Sequence, residues 1–130
     1  MSNYILDKAY TVTDAGGVDA FRVVVQGGVA GECALPAGQN ADGVLGVTTH
    51  AQVQNRNVSV RKAGVARVEA AGVIAVGEAV NVAAATGKVK SVSDENTGTK
   101  VKVIGFAETA AAANGDVIEV FISLHERIAP

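Results

Sequence analysis

Runs of about five to eight residues rich in Val, broken by Gly, Asn or Asp, recur along almost the whole of this chain. A β-branched side chain is stiff at χ1, fits a helix poorly and packs well on a pleated surface. Glycine and Asn supply the positive φ that tight reversals need. Together they describe antiparallel strands joined by turns. In Val58, Ser59, Val60 and Arg61 the apolar residues fall on one face and the polar ones on the other, the period of a half-buried strand. No stretch keeps apolar residues at spacings of three and four for more than two turns, so helix is a minor component. The expected fold is all-β: a small single-domain antiparallel β-barrel or β-sandwich over residues 1–130, with an extended N-terminal segment and little helix.

The runs lie at 4–12, 20–25, 30–35, 44–49, 57–62, 65–70, 79–84, 88–92, 100–107 and 116–124, and we expect about eight strands from them. Residues 1–12 are either an N-terminal arm or the first strand. Pro36, Gly38, Asn40, Asp42 and Gly43 make 36–43 a loop, because Pro removes a ladder donor and the others tolerate turn geometry. The alanines of 108–114 favour helix, but so short a segment supports one turn at most. The polar stretch 93–99 reads as a mobile tip. An internal echo links Val44, Leu45, Gly46, Val47 to Val103, Ile104, Gly105, Phe106, with Asn55, Arg56, Asn57, Val58 and Asn114, Gly115, Asp116, Val117 following at one offset. Two related strand–loop–strand units suit a closed or nearly closed barrel.

A chain of 130 residues suits one core. Hydrophobic residues are 48% of it but aromatics only 4%, with no Trp, so the interior is built from Val, Ala, Ile and Leu. Such a core gains little per side chain, which favours help from neighbouring subunits. The net charge is −2, the charged fraction is 18%, and Lys and Arg do not cluster, which argues against nucleic acid. Cys33 is the sole cysteine, so no intrachain disulfide or thiolate zinc site is available. Met1 to Lys8 lacks the apolar run of a secretory signal or membrane anchor, and we expect cytosolic synthesis and no membrane partner.

Motifs for chemistry fail one by one. Thr86, Gly87, Lys88 superficially matches the end of a phosphate-binding loop, but Val82 stands where a Gly is required and Val89 where a Ser or Thr is. Lys88 lacks the flanks of a lipoyl or biotinyl carrier lysine and reads as an exposed turn lysine. His50 and His125 are far apart in sequence, and no metal ligand set accompanies them. Cys33 sits in an apolar run without a base and reads as a buried hydrophobe. Asp94, Glu95 and Asn96 lack the remaining positions of a calcium loop. Asn57, Val58, Ser59 fits the glycosylation tripeptide with nothing to indicate secretion. No catalytic, cofactor-binding or metal residues are assigned, and the chain is not expected to be an enzyme.

From Gly64 onward an ordered series of elements is visible. It runs Gly64, Val65, then Glu69, Ala70, Ala71, Gly72, then Ala75, Val76, Gly77, Glu78, Ala79, Val80, then Thr86, Gly87, Lys88, Val89. Val103, Ile104, Gly105, Phe106, Ala107, Glu108 follow, and Gly115, Asp116 lead into the last apolar run. This order resembles the short all-β bacteriophage capsid cement, or head decoration, proteins. The N-terminal half matches more loosely, through Ala15, Gly16, Gly17 and the stretch Gly27 to Gly31. Asn81 and Val82 stand where that family often has aromatics, and the 36–43 loop is longer.

The resemblance implies a structural virion protein, made in the host cytoplasm, that binds the outer surface of an expanded icosahedral head and stabilises it. Its partners would be the major capsid protein and further copies of itself, as a homotrimer. Asn3, Tyr4, Ile5 and Leu6 are candidates for capsid binding by strand addition. Ala110, Ala112 and Phe121 are candidates for the subunit interface. The alternative reading is a displayed carbohydrate- or receptor-binding β module without catalysis, against which the scattered aromatics weigh.

Overall fold

Alternation of buried and exposed residues builds ten strands in the computed structural model, whose description covers residues 5–130. They are β1 (Leu6–Val12), β2 (Val23–Gln26), β3 (Glu32–Ala34), β4 (Val44–Thr48), β5 (Asn57–Ala63), β6 (Val65–Glu69), β7 (Ala79–Val82), β8 (Val89–Ser91), β9 (Lys100–Ala107) and β10 (Val117–Ile128). The first five close into a barrel in the order β1-β3-β2-β4-β5, and the second five form a sheet in the order β6-β10-β9-β7-β8. The all-β expectation holds, with ten strands in place of about eight. The strands β3 and β8 have three residues each, close to the shortest that pairing can hold, and β10 runs on beyond residue 124.

The two units repeat one plan. In each, the last strand lies between the first and the fourth, the fourth pairs with the second, and the second with the third. All these pairs are antiparallel, whereas the third strand meets the first in parallel, as Val12↔Cys33 in one unit and Ala70↔Val89 in the other. The β2–β4 ladder slips between Val24 and Val25, and the β7–β9 ladder between Val80 and Asn81. The Val18↔Gln52 bridge recurs as Ile74↔Ala111. Phe21 and Gly77 both have positive φ, as do Asn55 and Gly115. At Gly46 an added Cβ would strike the Arg61 carbonyl, and at Gly105 that of Phe121, so glycine is required wherever β4 or β9 crosses its partner. The echo in the sequence therefore marks a structural duplication, with one correction. Val60 flanks Gly46 as Val120 flanks Gly105, so the counterpart of Val58 is Ile118 and not Val117.

The units differ at one seam. In the first, Thr11 N–H donates to the Gly31 carbonyl at 2.8 Å and helps to close the barrel. In the second, Glu69 N–H donates instead to Phe21 at 2.9 Å, while the Gly87 carbonyl accepts from Val23 N–H at 2.8 Å. Residues 21–23 of the first unit thus occupy the seam that the second unit leaves open. Val23 and Val47, pointing out of the first barrel, pack with Ala66, Val68, Val80, Ile104, Ile118 and Val120. The barrel interior is a separate cluster of Tyr10, Val12, Val18, Val24, Cys33, Val58 and Val60. A third cluster, Ala79, Val92, Val101, Val103 and Ala129, covers the far face of the second sheet.

Of two local expectations, one holds and one is corrected. The alanines of 108–114 form no helix: Ala111 bridges Ile74, and the Asp116 carboxylate accepts from Ala112 and Ala113 N–H at 2.8 and 3.2 Å. A local side-chain acceptor of this kind competes with helix for the same backbone donors. The 93–99 stretch is tied down rather than a free tip. It begins with a 3-10 turn (Val92–Asp94), Gly98 N–H donates to Ala129, and the Thr97 hydroxyl donates to Pro130.

Candidate interaction surfaces

At the seam between the units, the Arg22 guanidinium donates to the Thr86 carbonyl at 2.9 Å and pairs with Glu69 at 3.3 Å. Lys88 meets the same carboxylate at 3.0 Å. Burial pushes the Glu69 carboxyl up, but Lys88 and Arg22 together outweigh it and hold the group below the usual carboxylate range. Gly87 has φ +81°, and a Cβ there would meet the Val23 carbonyl at 2.7 Å, so the close backbone approach depends on glycine. Lys88 is accordingly a partly buried ion-pair member and not the exposed turn lysine expected. The signal was absent because its partners, Glu69 and Asn114, come from other strands and loops.

A second polar cluster pins the 36–43 loop to the second sheet. Asn81 is fully buried and donates to Asn40 Oδ1 at 2.7 Å and Glu95 Oε1 at 3.0 Å. Gln39 Nε2 reaches both Glu95 oxygens, and Lys90 pairs with Glu95 at 2.8 Å. Burial raises the Glu95 carboxyl, yet Lys90, Asn81 and Gln39 hold it below its ordinary value. Glu95 is therefore a structural anchor. Asn81 is the sheet's contribution to the same network.

The residues put forward for contact with partners are scattered over three places. Phe121 stands on the outer face of the second sheet, 47% exposed, in register with Val65 on one side and Phe106 on the other. His125 stacks on Phe106 with ring centroids 5.6 Å apart, and the Arg127 guanidinium lies 5.3 Å from the same ring. Ala110 and Ala112 are exposed on the β9–β10 loop, on either side of the buried Ala111, and do not join Phe121 in one stripe of a helix. Leu6 opens β1 opposite Ala63, with Ile5 just before it, and both are about half exposed. Asn3 and Tyr4 lie outside the described residues.

The groups dismissed as catalysts have structural settings. Burial, then the Asp14 charge, pushes the Cys33 thiol up to about 11, opposite to what a nucleophile needs. His50 Nδ1 lies 2.9 Å from the Ala51 carbonyl oxygen, and its Nε2 accepts from Ser59 N–H at 3.2 Å. His125 is engaged with Phe106 and the Ser123 carbonyl. Among the described residues, no three His, Cys, Asp or Glu side chains gather as a metal site, and no helix is long and apolar enough to cross a membrane.

The fold is thus a pair of duplicated β units locked by main-chain bonds, with apolar side chains exposed on strand faces and loops. The chain belongs to the phage cement protein family, whose model matches residues 7–122. It is thereby a structural, capsid-associated phage protein. Among solved structures it is similar to the N base of the head fibre gp8.5 of bacteriophage phi29. The two are 18% identical with a TM-score of 0.63, over 92% of this chain and 95% of that one. That likeness is one of fold. No curated protein matches the chain.

Proposed function

We propose that this protein is a capsid decoration protein that binds the outer surface of an expanded icosahedral phage head, as a homotrimer, and stabilises the shell without catalysis. The observation that carries this reading is the family match across residues 7–122. The architecture supports it: holding neighbouring capsomers together calls for shape and repeated contact, which rigid, cross-pinned β units supply. A trimer touching several shell subunits at once gains effective concentration, raising overall affinity by about 10² to 10⁴ over a single contact.

In this reading, residues 3–6 add to an exposed strand edge of the shell protein, with Tyr4, Ile5 and Leu6 as side-chain anchors. The exposure of Ile5 and Leu6, with Ile5 just ahead of the first strand, supports it. Phe121, Ala110 and Ala112 are proposed to face other copies. Co-sedimentation of the protein with expanded, undecorated heads tests the function: saturable binding at a fixed ratio to the shell protein is the expected result. Failure of folded protein to bind overturns it. Deleting residues 2–5 should abolish head binding while leaving the thermal midpoint unchanged, and full binding by the truncated chain removes the arm from the mechanism.

A further inference from the structure

The start of β1 stands on an edge that no other described strand covers. Val12 N–H donates to the Arg56 carbonyl at 2.9 Å. Main-chain groups alternate in direction along an antiparallel ladder, so Tyr10 and Lys8, in register with Val58 and Val60, also turn theirs toward β5. Thr11, Ala9 and Asp7 turn theirs the opposite way. Thr11 N–H is met there by Gly31 at 2.8 Å, but β3 pairs only with Thr11 and Val12. The N–H and carbonyl groups of Asp7 and Ala9 have no main-chain partner among the described residues. All of Ile5 to Ala9 is exposed.

The second unit shows what this edge of the fold accepts. Because Val12 and Ala70 hold the same bridge position, Asp7, Ala9 and Thr11 correspond to Val65, Arg67 and Glu69. There Glu69 N–H is met by Phe21, a residue from outside the unit, and the Val65 carbonyl accepts from the Arg61 guanidinium at 3.2 Å. That edge is turned toward the first unit, whereas its equivalent on β1 is turned to solvent.

Charge selects the occupant. Asp7 is neutralised by Arg61 at 2.9 Å. Lys8 and Lys62, from the facing strands of the same ribbon, have no carboxylate within ion-pair distance among the described residues. Glu32, in register with Thr11 on the neighbouring hairpin, is engaged by Val29 N–H at 3.2 Å. The ribbon therefore offers unpaired main-chain groups together with excess positive charge.

We propose that the free β1 edge at Asp7 and Ala9 takes an extended, acidic segment of the shell protein. The segment adds as a strand through main-chain bonds to these two residues and sets carboxylates against Lys8 and Lys62. This extends the strand addition proposed for residues 3–6 into a stretch that the barrel holds in place, and it rests on that reading.

The test follows amide exchange in the full-length protein, free and saturated on expanded, undecorated heads. In the free protein the Asp7 and Ala9 amides should exchange at least tenfold faster than those of Lys8 and Tyr10, and on heads residues 5–10 should gain protection. A9P removes a donor that the β1–β5 ladder does not use, and K8E reverses an exposed charge. Each should weaken head binding at least tenfold, K8E most at low salt and with an unchanged thermal midpoint. Heads that bind both variants like wild type, or leave residues 5–10 unprotected, overturn the edge assignment alone. Protection that arises on concentrating the protein without heads gives the edge to a second copy and overturns the shell as its occupant. Wild-type protein that fails to bind heads overturns the reading beneath it.

Discussion

Val47→Ala probes the claim that the first unit completes the second. Val47 is 1% exposed and belongs to the cluster that spans both units. The substitution removes two methyl groups from that layer. Transfer of about 0.8 kcal/mol per carbon gives about 1.6 kcal/mol, and an unfilled space of about 40 Å³ adds about 1 kcal/mol. The sum of about 2.5 kcal/mol corresponds to a fall in melting temperature of about 8–12 °C for a chain of this size. Val73→Ala is the control, because Val73 is 69% exposed and its truncation should stay within about 0.5 kcal/mol. Urea unfolding followed by far-ultraviolet circular dichroism gives both values. Because the layer is shared, Val47→Ala should move a single transition with its slope intact. A loss below about 1 kcal/mol, or a transition that splits so that one half keeps its wild-type midpoint, would refute the shared-layer reasoning.

Further outcomes follow from particular side chains. Gly46→Ala and Gly105→Ala should each cost about 2 kcal/mol or more, since the new methyl meets backbone, whereas Gly16→Ala, with open space around it, should be near neutral by the same urea assay. Glu69, Glu78 and Glu95 have folded pKa values below the ordinary 4.5. Their contribution is therefore present above that pH and lost as the pH falls through the folded values. Glu95→Gln should accordingly lower stability at pH 7 by about 1–3 kcal/mol and flatten the acid limb of a stability–pH curve. Cys33, its thiol held near 11 and fully buried, should resist a thiol reagent at pH 8 until the chain unfolds; rapid labelling of native protein would contradict its placement.

Local pattern carried the strands: where Val alternates with polar residues, as at 58–61, the barrel interior and exterior were readable directly. The duplication was also visible, because Gly46 and Gly105 are both demanded by a crossing backbone. The seam was not. Whether Thr11 or Glu69 closes on its own unit depends on where residues 21–23 arrive, and nothing local to either strand encodes that. The same holds for Glu95, which looked like part of a solvated turn until Lys90, Asn81 and Gln39 converged on it from elsewhere in the chain. The alanine run shows the opposite case. Its intrinsic helix preference was legible, but the Asp116 cap and the Ile74 bridge override it. Of the proposed contact residues, Phe121 gained a setting in a continuous row, while Ala110 and Ala112 proved to be separate loop positions.

The seam also gives the chain a direction in time. Translation delivers the N-terminal barrel first, with its own interior and its own closing bond, so it can be finished while the rest is still on the ribosome. The C-terminal sheet has no such autonomy, since its gap is filled by residues that precede it. The earlier half thus acts as an intramolecular template for the later one. An excised C-terminal half would emerge with an unpaired edge and a bare apolar trough, the setting in which strands recruit unintended neighbours.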